Sequence, residues 1–365
     1  AFPYIFKIMS QKILFFALLL GLNLSAQQNN KVFLITLDGY RWQELFSGAD
    51  SLLVANKDYV SNTDQLTHLF WRPSADARRQ ALTPFIWGTV ANIGQLHGNR
   101  ARASKVNLTN GMWFSYPGYN EILTGRADDQ RISSNDKLPN PNTTVLEQFV
   151  QERNAAHKVA AFGSWDVFDF IVNEERSGVY TNSGFDLSTD LPLSANEELL
   201  NELQPQIPSP WGSVRLDGFT HQYTKEYLKK HHPDLVYISY GETDDFAHDG
   251  DYEAYLKAAH NTDKLIEDLW SFVQNDAYYK DQTTFIITTD HGRGTVPLET
   301  WRGHGNSIKG ADQTWLILFG NEVAPLGEVI KSEQLFTNQI APTVRQLLGL
   351  TQIIGKGYGN PLQLK

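Results

Sequence analysis

Three stretches of this chain place ionisable side chains directly behind apolar runs. Asp38 follows Val32-Phe33-Leu34-Ile35-Thr36-Leu37. Asp244 and His248 come shortly after Leu235-Val236-Tyr237-Ile238-Ser239-Tyr240, and Asp290 and His291 follow Phe285-Ile286-Ile287-Thr288-Thr289. A fourth group, His304, lies in the loop-like Arg302-Gly303-His304-Gly305. Each has a plainer reading when taken alone. Asp38-Gly39 is a turn signal, Asp290 suits a helix cap, and a loop histidine is usually solvated. Asp244 and His248 stand four apart, so on a helix they share a face and can grip one ion. The conjunction is what carries weight. In open α/β sheets ligands bind outside the carboxyl ends of the strands, so these side chains should meet in one hydrophilic site. Carboxylates and imidazoles gathered there would hold divalent metal ions through O and N atoms.

The second chemical segment is Met112-Trp113-Phe114-Ser115-Tyr116-Pro117-Gly118-Tyr119-Asn120-Glu121-Ile122-Leu123-Thr124-Gly125. Ser115 opens a helix-like stretch and suits an N-cap. A hydroxyl at a helix N-terminus is also well placed to meet an anion, because free N–H groups and the helix dipole attract phosphate. A nearby cation would lower its pKa and make it a nucleophile. No Gly-x-Ser-x-Gly surrounds it, which argues against an α/β-hydrolase triad.

The elements that must position these residues can be read from periodicity. Strand-like runs recur at 32–37, 158–162, 234–240, 284–289 and 314–319. Helical patterns lie between them at Thr144–Glu152, Tyr252–Phe272 and Ser332–Leu348. Alternation of this kind predicts βαβ units and an α/β fold on a mainly parallel sheet. Residues 41–80 and 176–217 show little periodicity and read as loops or a lid over the site. There is no internal repeat.

Composition narrows the function classes. A formal net charge of −10 argues against a general nucleic-acid binder. The absence of cysteine excludes disulfides, thiolate metal sites and a cysteine nucleophile. Residues 9–26 read as a secretory signal: Met9, Lys12, the apolar Ile13 to Leu22, then Leu24-Ser25-Ala26. The apolar stretch is too short to span a bilayer comfortably. Residues 1–8 precede Met9 and are set aside as upstream sequence or a cloning remnant. The expected organisation is one domain over 27–365 that is exported to the periplasm or secreted, with no membrane insertion after cleavage.

Taken together, the motifs resemble the alkaline phosphatase superfamily, particularly its nucleotide pyrophosphatase/phosphodiesterase branch. That branch carries a Thr-Phe-Pro-Asn-His…Thr-Gly nucleophile motif, to which Ser115-Tyr116-Pro117 and Thr124-Gly125 correspond with Ser in place of Thr. Thr36-Leu37-Asp38-Gly39 looks like its first ligand motif. Asp244-x-x-x-His248 looks like its Asp-x-x-x-His, Asp290-His291-Gly292 like its Asp-His-Gly, and Gly303-His304-Gly305 like its last ligand. The likeness runs from about residue 31 to 350, in family order. It implies an alkaline-phosphatase-like three-layer sandwich. It also implies one zinc on Asp244, His248 and His304, and another on Asp38, Asp290 and His291 with Ser115 as its substrate-activating contact. Two metals so placed clamp the attacking and leaving oxygens of an in-line displacement, and Ser115 would carry the phosphoryl group. The implied substrate is a small phosphate ester.

Four departures bear on specificity. Gly118 stands where the branch has Asn. Asn135 lies at about the distance of the family's phosphoryl-binding Asn. The stretch 163–168 lacks the Lys-x-Arg that monoesterase relatives use, with Arg126, Arg293 and Arg302 as candidate substitutes; this favours a diester. Trp87, Trp113, Phe114 and Trp165 are candidates for an apolar wall. A sulfatase is the nearest rival, but Tyr119 replaces the Arg of its Ser/Cys-x-Pro-x-Arg motif. A cofactor-independent phosphoglycerate mutase needs a larger inserted domain, and an inactive metal-binding relative would not need all six ligands.

Overall fold

The computed structural model describes residues 30–365. The signal-like segment 9–26 lies outside the described residues. Among the described residues eleven strands are formed: β1 Lys31–Leu37, β2 Gly94–His97, β3 Val106–Asn107, β4 Val159–Gly163, β5 Tyr180–Ser183, β6 Leu235–Tyr240, β7 Thr283–Thr288, β8 Gln313–Thr314, β9 Leu316–Gly320, β10 Gly327–Glu328 and β11 Leu335–Phe336. Eight make one sheet in the order β10-β2-β9-β7-β1-β6-β4-β5, and β11-β3-β8 make a small second sheet. In the large sheet every neighbouring pair is parallel except the two made by β9, with β2 and β7.

The central strands are apolar on both faces because both faces are covered. Along β1, Phe33, Ile35 and Leu37 enter one core while Val32 and Leu34 enter the other. The first core holds buried residues of helices Asp217–His231 and Tyr252–Asn275; the second holds those of helices Ser115–Thr124, Val145–Arg153 and Ile340–Leu348. The result is a three-layer α/β sandwich.

Most of the expected elements form within a residue or so: Thr144 caps helix Val145–Arg153 through its side chain, and helix Tyr252–Asn275 covers the expected 252–272. Three expectations need correction. The helix expected over 332–348 is confined to Ile340–Leu348. Pro342 explains this: in the first turn its missing N–H costs nothing, whereas a longer helix would put it inside, against the carbonyl of Asn338. The run 314–319 is not one strand but is split at Trp315 between two sheets. Residues 41–80 and 176–217 are not plain loops. The first holds helices Trp42–Ser47, Ser51–Val54, Thr63–Phe70 and the start of Ala75–Leu82; the second holds β5 and helix Ala195–Leu203. Short capped helices, such as Ser51–Val54 behind its Asp50 cap, leave too little periodicity to detect.

Candidate metal centre and nucleophile

The site forms at the carboxyl ends of three adjacent parallel strands, β7-β1-β6. Asp38 directly follows β1, Asp290 and His291 follow β7, and helix Glu242–Asp249 after β6 carries Asp244 and His248. The loop from 303 delivers His304; its Gly305 N–H donates to the Trp113 carbonyl (2.8 Å), tying it to the segment before Ser115.

The carboxylate and imidazole atoms fall into two groups that touch. In the deep half, Asp38, Asp290 and His291 can present one ligand atom each within 4.8 Å of one another. His291 Nε2 lies 3.3 Å from Asp38 Oδ1 and 3.4 Å from Asp290 Oδ2. In the open half, His248 Nε2 is 3.2 Å from Asp244 Oδ2 and 2.9 Å from His304 Nε2. The halves meet at His291, whose Nε2 is 3.5 Å from Asp244 Oδ1 and whose ring stacks on His304. Asp244, His291 and His304 thus form a second possible ligand trio.

Donor chemistry provides the test of whether these residues fit a cation. His291 Nδ1 donates to the Gly292 carbonyl (2.9 Å), which assigns the proton to Nδ1 and leaves Nε2 a lone pair. Asp38 Oδ2 accepts from the Tyr119 hydroxyl (2.7 Å) and Asp290 Oδ1 from the Gly39 N–H (3.1 Å). The opposite oxygens, Asp38 Oδ1 and Asp290 Oδ2, are buried without a hydrogen-bond partner. Three lone-pair atoms therefore converge with no donor among them. Such an arrangement is costly without a cation and suited to one. Borderline O/N donors of this kind suit zinc and other divalent ions.

The electrostatics of the bare side chains agree. Burial, then the charge of Asp244, pushes Asp38 well above the ordinary carboxylate range; burial, then Asp38, does the same to Asp290. Burial opposes ionisation of Asp244, yet the Arg293 guanidinium and then His248 hold it well below that range. Burial, then His291, pushes His304 down to about 2. Asp245 is pushed up to about 8 by burial and then Asp244.

Ser115 is the first residue of helix Ser115–Thr124, all ten residues of which are buried. Phe114, not Ser115, occupies the N-cap, and no side chain caps the helix there. The Ser115 hydroxyl is thus not used as a cap and lies 3.3 Å from His291 Nε2. The loop before it is anchored on buried Glu121, which accepts from Thr109 N, Asn110 N, Asn110 Nδ2 and Thr337 Oγ1. Gly118 has a physical reason to replace Asn: a Cβ there would stand 2.2 Å from the Asp290 carbonyl oxygen. Gly39 is constrained in the same way, at φ +59° with a Cβ position 2.6 Å from Asp244 Oδ1.

Asn135 lines the cavity with Asp38, Ser115, Asp244, His248 and His304. Its Oδ1 accepts from Tyr116 N–H (3.0 Å) at the start of the Ser115 helix, leaving Nδ2 as a donor. Trp165, Ser213, Val214 and Asp245 complete the lining, so the end of the 176–217 segment borders the site and residues 41–80 do not. Of the expected aromatic wall only Trp165 lines the cavity. Trp87 is in the core, edge-on to Phe46 with Nε1 donating to the Leu45 carbonyl. The arginines named as phosphate-clamp candidates are occupied elsewhere: Arg293 by Asp244, Arg302 by the His248 carbonyl, and Arg126 beside Asp128 and Tyr358. A larger cavity, about 490 Å³, lies by the C-terminal segment between Glu322 and Lys365, but it gathers none of these groups.

Sequence reasoning missed Glu121 as the loop anchor, Arg293 as the tie to Asp244, and the cavity-lining Asp245, Ser213 and Val214. The one available signal was positional: Arg293 stands two residues beyond His291.

Comparison with known proteins places this sandwich and its ligand groups among metalloenzyme folds. A family model described as Metalloenzyme superfamily matches residues 194–351, a span that includes Asp244, His248, Asp290, His291 and His304 but not Asp38 or Ser115. The wild-type alkaline phosphatase PafA is similar at TM-score 0.62 and 10% identity, over 91% of this chain and 98% of that one. The lipoteichoic acid synthase LtaP from Listeria monocytogenes is similar at TM-score 0.56 and 12% identity, over 93% and 75%. The phosphonate monoester hydrolase SpPMH from Silicibacter pomeroyi is similar at TM-score 0.55 and 14% identity, over 91% and 76%. No curated protein matches by sequence. The C-terminal part of the chain, residues 194–351, thus matches the Metalloenzyme superfamily model, and the chain as a whole shares the α/β fold of these solved structures.

Proposed function

We propose that this protein is an exported two-metal phosphoesterase that cleaves phosphate esters through a phospho-Ser115 intermediate, with diesters preferred over monoesters. The observation that carries the reading is the place of the Ser115 hydroxyl: at a buried helix N-terminus, 3.3 Å from His291 Nε2, where the two ligand groups meet. Asp38, Asp290 and His291 would hold one zinc, and Asp244, His248 and His304 the other. Bound there, the cations would acidify the Ser115 hydroxyl and offset charge on the phosphoryl and leaving oxygens.

The chain's own groups do the rest. Ser115 Oγ gives up its proton and attacks phosphorus in line; the Oγ–P bond forms as the P–O bond to the leaving group breaks, and a proton from solvent completes the departing alcohol. Water then cleaves Oγ–P and frees the serine. Asn135, which lines the cavity, and the Ser115 N–H at the helix start would bind a non-bridging oxygen, since the Tyr116 N–H is taken by Asn135 Oδ1, the Gly118 N–H by Phe114, and Pro117 has none. Trp165 gives the leaving group an apolar wall. The diester preference rests on charge: no Lys or Arg is among the residues lining the cavity, and Asp245 is. A monoester dianion would find no cationic side chain for its second charge.

The partner is a small phosphate ester, not duplex nucleic acid. No helix among the described residues is long and apolar enough to cross a membrane; export rests on the signal-like residues 9–26. The test compares a nitrophenyl phosphate diester, its monoester and the sulfate ester on the zinc-loaded protein. The diester should show the highest kcat/KM. A dominant monoester activity would overturn the diester preference, and a dominant sulfate activity the phosphoesterase reading.

A further inference from the structure

Asp244 is held by more than its place on a helix. The Arg293 side chain is fully buried, and each of its nitrogens has an acceptor. Nε donates to the Gly39 carbonyl (3.1 Å), Nη1 to the Arg302 carbonyl (2.5 Å), and Nη2 to the Asp244 carbonyl (3.0 Å) and to Asp244 Oδ1. One planar group therefore joins the turn after Asp38, the helix bearing Asp244 and His248, and the chain entering His304, while Arg293 itself follows His291 by two residues. Three of the four acceptors belong to segments that carry open-half ligands; only Gly39 belongs to the deep half. Asp38 and Asp290 are instead fixed by the Tyr119 hydroxyl and the Gly39 N–H, which donate to one oxygen of each.

We propose that Arg293 is the positioning residue of the open half: it fixes Asp244 through one carboxylate oxygen, leaves the other turned toward His248, and holds the approach to His304, so that cation binding at Asp244, His248 and His304 depends on it while binding at Asp38, Asp290 and His291 largely does not. A rigid five-donor fork suits this task, and a lysine, with one flexible ammonium, cannot reproduce it. Partners that orient a ligand typically change metal affinity by about 10–100-fold when removed.

This inference rests on the two-metal reading, and the test separates the two. Metal-free protein is titrated with zinc by calorimetry and with Co²⁺ by visible absorption. Wild type should take up two ions per chain; fewer would overturn the two-metal reading itself. Arg293→Met should keep one site within a few-fold of wild type and weaken the other by about 10–100-fold, with loss of the Co²⁺ band of the histidine-rich half. Equal weakening of both sites, or no change in either, would overturn the assignment. Should Arg293→Met not fold, Arg293→Lys carries the test, with the same one-sided loss expected. Wild-type binding at both sites in that variant would count against the fork.

Discussion

The two halves of the centre are built from the same residue types and yet are physically unlike. In the deep half, the side chains of His291 and Asp290 are fully buried and that of Asp38 is 8% exposed. In the open half, His248 is 45% exposed, with Asp244 and His304 near 13–14%. The deep half has two carboxylates to one imidazole; the open half has the reverse, and its one carboxylate is already paired with a guanidinium. Charge and burial thus make the deep half the stronger cation trap. Exposure makes the open half the side that solvent and a ligand can reach. Ser115 stands beside His291, where the two groups meet, and lines the same cavity as His248 and His304.

The largest expected effect tests that seam. Ser115→Ala should reduce turnover by at least about 10³-fold, on the scale of removing a nucleophile, while both metals stay bound. Near-normal activity would remove the serine from the mechanism. Next, Asp290→Asn takes a charge from the deep half. The expected result is loss of that metal and of activity, measured by metal analysis after dialysis, because the buried oxygen lacking a partner is the one replaced. His304→Ala sharpens the contrast: it should weaken the open-half metal only, and loss of both metals would show that the halves are not separable. Asn135→Ala should cost about 10-fold in kcat/KM with metal content unchanged, the scale of losing one hydrogen bond to an anion; an unaltered rate would remove Asn135 from phosphoryl binding.

The smallest effect concerns stability away from both halves. Asp263, on helix Tyr252–Asn275, accepts from Phe85 and Ile86 N–H groups and is pushed up to about 7 by burial. Its folded pKa lies above the unfolded value, so the folded chain binds the extra proton. Its contribution is therefore full below about pH 4 and is lost as pH rises through about 7. The melting temperature of metal-free protein should fall over that window, and Asp263→Asn should flatten the fall. A variant with the same slope as wild type would assign the pH dependence to other groups.

The contrast between the halves was only partly legible in the residues. Asp38, Asp290 and His291 each follow a β-branched, apolar strand with no intervening helix, so the strand end alone places them. The Asp244–His248 spacing is readable because helical geometry fixes which side chains share a face. Ser115 was legible as a helix start but not as N1 behind a Phe114 cap, since either register fits the apolar spacing. The short helices of 41–80 and the split at Trp315 were hidden because elements of two to eight residues offer no sustained period.

What the sequence by itself determined is therefore the α/β alternation, the strand ends that carry the ionisable groups, and the residue types that exclude thiolate chemistry. Those follow from local periodicity and side-chain chemistry, which act over a few residues. Tertiary structure alone decided which oxygen of each carboxylate is tied and which is left bare, that Gly118 gives way to the Asp290 carbonyl, and that Arg293 serves Asp244 rather than a substrate phosphate. Those outcomes depend on partners separated by 49 residues for Arg293 and Asp244 and by 81 for Tyr119 and Asp38. Only the packed sheet, with its helices on both faces, brings such partners within hydrogen-bond reach.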